Sequence, residues 1–149
     1  MKSATTGDAL QFCSFYLGDL FLGISVSAVQ EVIRTQVMTP VPLADPCVSG
    51  LVNLRGQIVT ALNLRRQFGL DPSYPKPPMN IVISYSDGAI SLLVDEIGDV
   101  ITVNPDTFEA VPETLESSYK ALLEGVFKLD GTLLLLLNLE TATQIGAFA

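Results

Sequence analysis

GLVNLRGQIVTALNL (residues 50–64) lies without a gap on GVFKLDGTLLLLLNL (residues 125–139), an offset of 75 (125 − 50). Six of the fifteen positions are identical: Gly50/Gly125, Leu54/Leu129, Gly56/Gly131, Leu62/Leu137, Asn63/Asn138 and Leu64/Leu139. Each run reads as a β-hairpin. Leu51–Leu54 and Gln57–Leu64 flank Arg55-Gly56, and Val126–Leu129 and Thr132–Leu139 flank Asp130-Gly131. Any two amphipathic hairpins share turn glycines and apolar alternation. The common Leu-Asn-Leu ending goes beyond that and favours duplication.

Upstream segments repeat more weakly at an offset of 68 (87 − 19). Asp19 falls on Asp87, Ile24 on Leu92, Val26 on Val94, and Val32-Ile33 on Val100-Ile101. Two copies are too few for a solenoid and instead predict two small β units packed on each other. The chain is read as a single domain over 1–149, with approximate halves 10–71 and 79–149. Between them lies a proline-rich connector, 72–78, whose prolines cannot sit in a central strand.

Further strands are expected over Leu10–Leu17, Leu20–Ile24, Ile81–Tyr85 and Ile90–Val94, the last two around a Ser86-Asp87-Gly88 turn. Leucines without alternation over Leu133–Leu137 predict a strand buried on both faces. Helix is scarce. Ser27 to Gln30 fits a capping box ahead of Val29, Val32 and Ile33, predicting about two helical turns near Ala28–Arg34. Short helices are also expected over Leu64–Phe68, after Leu139 and within Pro112–Leu123.

Composition narrows the function. Sixteen acidic against eight basic residues give a net charge of −8, which opposes nucleic-acid binding and attachment to anionic lipid. The longest aliphatic run has five residues, against about 18 for a membrane span, so no direct membrane insertion is expected. The polar start, Met1 to Asp8, has no apolar signal region, and Cys13 and Cys47 read as reduced thiols of a cytoplasmic protein. There is no histidine, which removes Ser-His-Asp and Cys-His catalysis, histidine metal sites and a phosphoacceptor histidine.

Few residues point to chemistry. Asp95-Glu96 with Asp99, and Glu113 with Glu116, are paired carboxylates, but no tryptophan platform or polar pocket motif accompanies them. No phosphate-binding glycine loop occurs. Neither an enzymatic activity nor a cofactor or metal is therefore expected. Glu31 and Arg55 are more informative. If the Arg55-Gly56 hairpin tip packs against the expected helix bearing Glu31, the two can form a charge-assisted, bidentate pair.

GLVNLRGQIVTALNLRRQFGL (50–70) resembles the signature segment of the CheW family, an NLRG hairpin followed by a D/N-L-R-x-x-F/L run. VSAVQEVIR (26–34) is similar to the family's V-x-x-V-x-E-[IV] helix, and LLVDEIGDVITV (92–103) resembles its second-half L-V-V-D-x-[VI]-x-D-V segment. The matches run in order from about Phe12 to Leu139.

The resemblance implies a mainly β fold of two five-stranded β-barrels side by side, with a few short helices. It also implies a non-catalytic adaptor of chemotaxis signalling; such domains also occur as the regulatory module of CheA, but with no kinase domain and no phosphotransfer histidine in this sequence a free-standing adaptor is expected. Its partners would be the regulatory domain of a CheA-type histidine kinase and the cytoplasmic tip of a chemoreceptor, with recruitment to membrane receptor arrays through them. Matched to the family, the partner-binding positions are Val29, Glu31, Val32, Gly50, Arg55, Gly56, Asp95 and Asp99. Asn63 departs from a frequent family Asp, and the loop Thr35–Cys47 aligns with no subfamily. The competing reading is a small-ligand-binding regulator with a pocket between barrels. A ternary complex formed without added metabolite separates the two.

Overall fold

β-branched residues, apolar alternation and two-residue glycine turns commit most of the chain to strand. The computed structural model describes residues 10–85 and 88–144. In chain order the strands are β1 (Leu10–Leu17), β2 (Leu20–Ser25), β3 (Val29–Ile33), β4 (Val48–Leu54) and β5 (Gln57–Asn63). After helix α1 (Leu64–Gln67) come β6 (Met79–Tyr85), β7 (Gly88–Val94), β8 (Glu96–Val103) and the two-residue β9 (Phe108–Glu109). Helix α2 (Ser117–Lys120), β10 (Leu123–Leu129), β11 (Thr132–Leu137) and α3 (Leu139–Ala142) complete the chain. The expected turn residues Ser86 and Asp87 lie outside the described residues.

The strands form two sheets, in the order β8-β1-β2-β11-β10-β9 and β3-β6-β7-β5-β4. Each sheet takes strands from both sides of the connector. The hairpin β1-β2 joins strands of the second half, and β6-β7 joins strands of the first. The registers repeat with the sequence. Phe12↔Ile101 in one sheet answers Asn80↔Ile33 in the other at offset 68, and both pairings carry a bulge at the equivalent place. The parallel contacts Leu135↔Leu22 and Thr60↔Ile90 are related in the same way.

The two closed barrels expected from the resemblance are not present as closed ladders. One sheet ends at β8 and β9, the other at β3 and β4, and no backbone pairing spans either gap among the described residues. The strands nearest closure are too short: β9 has two residues, and its counterpart beside β4 is the isolated bridge Thr39–Leu51.

Three apolar clusters hold the layers. The central one contains Phe15, Leu22 and Ile24 of the first sheet and Leu62, Ile81 and Leu92 of the second. Because neighbouring residues of a strand face opposite ways, the outer faces carry their own clusters. Phe12, Phe127 and Leu134 cover one sheet; Val52, Ala61 and Leu93 cover the other. Leu134 and Leu135 fall in different clusters, so β11 is buried on both faces from Leu134 onward, whereas Leu133, expected to be buried with them, is 38% exposed.

The helix expected over Ala28–Arg34 is a correction. Val26–Ala28 is a single 3-10 turn capped by Ser25, and Val29–Ile33 is strand β3. A bulge between Val29 and Glu31 breaks the period of two. The apolar spacing at 29, 32 and 33 thereby imitates a helix.

Candidate functional site

Arg55 and Gly56 are the two turn residues between β4 and β5, with φ of 53° and 87°. Positive φ at both positions matches the twist of a two-residue hairpin. Gly56 has open space where a Cβ would stand, so the conformation alone demands glycine there. From this tip Arg55 Nη1 and Nη2 donate to Glu31 Oε2 and Oε1 at 2.6 and 2.7 Å. The pair expected from the sequence is thus bidentate. It also joins the two edges of one sheet, since Glu31 lies in edge strand β3 and Arg55 follows edge strand β4. Hydrogen bonds from Arg55, with its charge, hold the Glu31 carboxyl below its usual range.

The other named positions divide. Val29 is half-buried against the central cluster, whereas Val32 is 38% exposed. Gly50 sits at a bulge where a Cβ would stand 2.8 Å from the Thr39 carbonyl oxygen. Gly125 repeats this at a bulge against the Glu109 carbonyl. Asp99 is exposed on β8, and its backbone carbonyl accepts from Ser14 Oγ at 2.6 Å.

Asp95 belongs to a separate group. Its carboxylate accepts from Arg65 Nε at 2.8 Å, Arg65 Nη2 at 2.7 Å and the Gly18 N–H at 2.7 Å. The Arg65 and Asp95 side chains are only 11% and 13% exposed. Arg65 Nη1 also donates to the Asp71 carbonyl, and its guanidinium lies 5.4 Å from the centre of the Tyr74 ring. The Tyr74 hydroxyl is 2.8 Å from the Leu93 carbonyl oxygen and 2.9 Å from Asn63 Oδ1. Partial burial pushes the Asp95 carboxyl up, but the Arg65 and Gly18 hydrogen bonds with the Arg65 charge outweigh it, leaving it lower than usual. Burial raises the Tyr74 phenol.

Two of the paired carboxylates meet lysines. Glu96 meets Lys76 at 3.3 Å and Glu113 meets Lys120 at 3.5 Å. No group of three metal-ligating side chains occurs among the described residues.

A model of the CheW-like domain matches residues 11–145, nearly the whole chain. The chain belongs to the CheW-like family. Among its relatives, the chemotaxis protein CheW of Bacillus subtilis (strain 168) is 34% identical over 113 residues, covering 74% of this chain and 72% of the relative. CheW of Helicobacter pylori is 29% identical over 140 residues, covering 93% and 84%. The crystal structure of the scaffolding protein TtCheW from Thermoanaerobacter tengcongensis superimposes with a TM-score of 0.84 at 23% identity, covering 94% of this chain and 96% of that one. It shares the fold.

In this CheW-like chain the sequence pattern points to Glu31 and Arg55 together but does not single out Arg65 and Tyr74. Arg65 stands between Leu64 and Phe68, both fully buried, on a one-turn helix, so it is carried inward with them. That spacing is a legible signal. Tyr74 is hidden inside the proline-rich connector, where nothing marks one residue as buried. No helix of the described residues is long and apolar enough to cross a membrane.

Proposed function

We propose that this CheW-like chain is a non-catalytic adaptor coupling chemoreceptors to a CheA-type histidine kinase in bacterial chemotaxis signalling. The observation that carries the reading is the CheW-like match over residues 11–145. CheW-like proteins are coupling scaffolds, and their output is geometry. Holding two partners in register lets a small shift in one bias the other, provided the adaptor is stiff. The bidentate Glu31–Arg55 pair supports stiffness at the β4-β5 tip.

In finer terms, the partners are the regulatory domain of the kinase and the cytoplasmic tip of the receptor. The adaptor works in the cytoplasm and reaches membrane arrays through them. Glu31, Val32, Arg55 and Gly56 form the contact surface. Val29 and Gly50 set its shape from behind, Asp95 acts through its separate ion pair with Arg65, and Asp99 adds an exposed acidic group on β8. Exposed Val32, with Ile58 59% exposed beyond the hairpin tip, supplies apolar contact near charged groups, as in small specific interfaces. The halves 10–71 and 79–149 act as one module, because each lends a hairpin to the other's sheet.

The test is size-exclusion chromatography with light scattering. The chain is mixed with a kinase regulatory-domain fragment and a receptor cytoplasmic-tip fragment, without metabolite. A complex containing all three is expected. Absence of both binary complexes, restored by a small molecule, would favour the ligand-binding regulator instead.

A further inference from the structure

Among the described residues the chain passes from one sheet to the other twice, at positions related by the repeat. It leaves the first sheet through Val26–Ala28, between β2 and β3, and returns through the single residue Asp95, between β7 and β8. Asp95 is the counterpart of Ser27 at offset 68. The two crossings are built differently.

At the return crossing Asp95 is held from both sheets. On the first-sheet side its N–H donates to the Tyr16 carbonyl of β1 at 3.0 Å, and its carboxylate accepts from the Gly18 N–H in the β1-β2 turn. On the other side stands Arg65, on the helix that follows β5 of the second sheet, which donates twice to the same carboxylate and carries the opposite charge. Its guanidinium also donates to the Asp71 carbonyl, so the start of the connector is tied to the crossing. At the outgoing crossing Ser25 and Ser27 are exposed and bond to each other, hydroxyl to hydroxyl at 2.8 Å and the Ser27 N–H to Ser25 Oγ at 3.3 Å. The counterpart of Arg65 is Glu140, for which Ser27 supplies no positive charge.

Two sheets joined across a layer of apolar side chains can slide and turn over it, because apolar contact is non-directional. A bidentate ion pair is directional and holds one geometry. We propose that Asp95 and Arg65 are positioning residues that set the angle between the two sheets, and that the Val26–Ala28 turn is where this angle yields once the pair is broken. Strand β3, with Glu31 and Val32, begins directly after that turn, and β8, with Asp99, begins directly after Asp95. The pair therefore fixes how the contact surface of the first half is presented relative to the second half. That consequence for partners rests on the adaptor reading; the control of the sheet angle does not.

The test is NMR of the full chain in weak alignment, reading backbone N–H residual dipolar couplings. In the wild type the couplings of both sheets should fit one alignment tensor. In Asp95→Asn and Arg65→Gln each sheet should still fit a tensor of its own, the two differing in orientation or magnitude. Tyr74→Phe removes the hydroxyl bonds of the same cluster but leaves the ion pair, and should keep the common tensor. One common tensor in the Asp95 and Arg65 variants overturns the proposal. So does an equal separation of tensors in Tyr74→Phe, which would show that any loosening of the cluster suffices. Hydrogen exchange of the wild type decides even where neither ion-pair variant folds. The N–H groups of Gly18 and Asp95 should exchange at least about tenfold more slowly than those of Ser27 and Val29, and equal or faster exchange contradicts the difference between the crossings. A wild type that forms no three-component complex would overturn the adaptor reading alone, because the couplings are read without partners.

Discussion

The two halves share a backbone but not an electrostatic scheme. In the first, Glu31 and Arg55 clip together the edges of one sheet, and Arg65, Asp95 and Tyr74 seal its end. The counterparts of Glu31 and Arg55 in the second are Asp99 and Asp130, two acids that cannot pair. The counterparts of Arg65 and Asp95 are Glu140 and Ser27, which line an open groove. Backbone register, bulges and helix caps are therefore set by features common to both copies: turn glycines, Asn caps and apolar alternation. Side-chain chemistry at the ends has diverged. A duplicated fold can thus give one stiff, charged end and one open, apolar end without altering its frame.

The largest effect that tests this contrast is expected at the buried ion pair. Arg65→Ala leaves the Asp95 carboxylate without its main partner, and should cost about 3–5 kcal/mol in urea unfolding. Its counterpart substitution, Glu140→Ala, should stay within about 0.5 kcal/mol of wild type. Equal losses would erase the distinction between the ends. Gly56→Val and Gly131→Val test what the halves share. Both glycines have positive φ (87° and 81°) and open space at the Cβ position. Each variant should lose about 1–3 kcal/mol through backbone strain alone. Unequal midpoints would mean that the turns are not equivalent.

The contrast depends on a repeat that residues 50–64 and 125–139 display in their amino acids alone. The hairpins, the short helices after Asn63 and Asn138, and the Glu31–Arg55 contact are legible because each is encoded by short-range pattern. The exchange of β1-β2 and β6-β7 between sheets is not, since strand alternation says which face is apolar and never which strand is the neighbour. β3 reads as a helix because one bulge shifts its alternation by a residue. The absence of ladder closure is equally hidden: it depends on the length of β9 and of the Thr39 bridge, which follow from the path of long loops.

A smaller effect should appear in acid. The folded Asp95 carboxyl lies below its ordinary value, so its stabilising contribution is complete above about pH 4. It is lost as pH falls through the folded value. Urea midpoints of the wild type should therefore decline below about pH 4, and Asp95→Asn should decline less steeply. Parallel curves would show that other carboxylates govern the acid limb.

Smallest of all is the expected effect of Arg55→Ala on folding. Arg55 is largely exposed, and exposed ion pairs contribute little to stability. Its melting temperature should lie close to that of wild type. Its effect on binding is the direct test of the adaptor surface. Calorimetric titration of wild type, Arg55→Ala and Asp130→Ala against the kinase regulatory-domain fragment and the receptor-tip fragment compares the two ends under identical conditions. Arg55→Ala should weaken at least one partner by about tenfold, with Asp130→Ala close to wild type. Wild-type affinity of Arg55→Ala for both partners, with loss in Asp130→Ala, would put the contact surface on the other half and contradict the account.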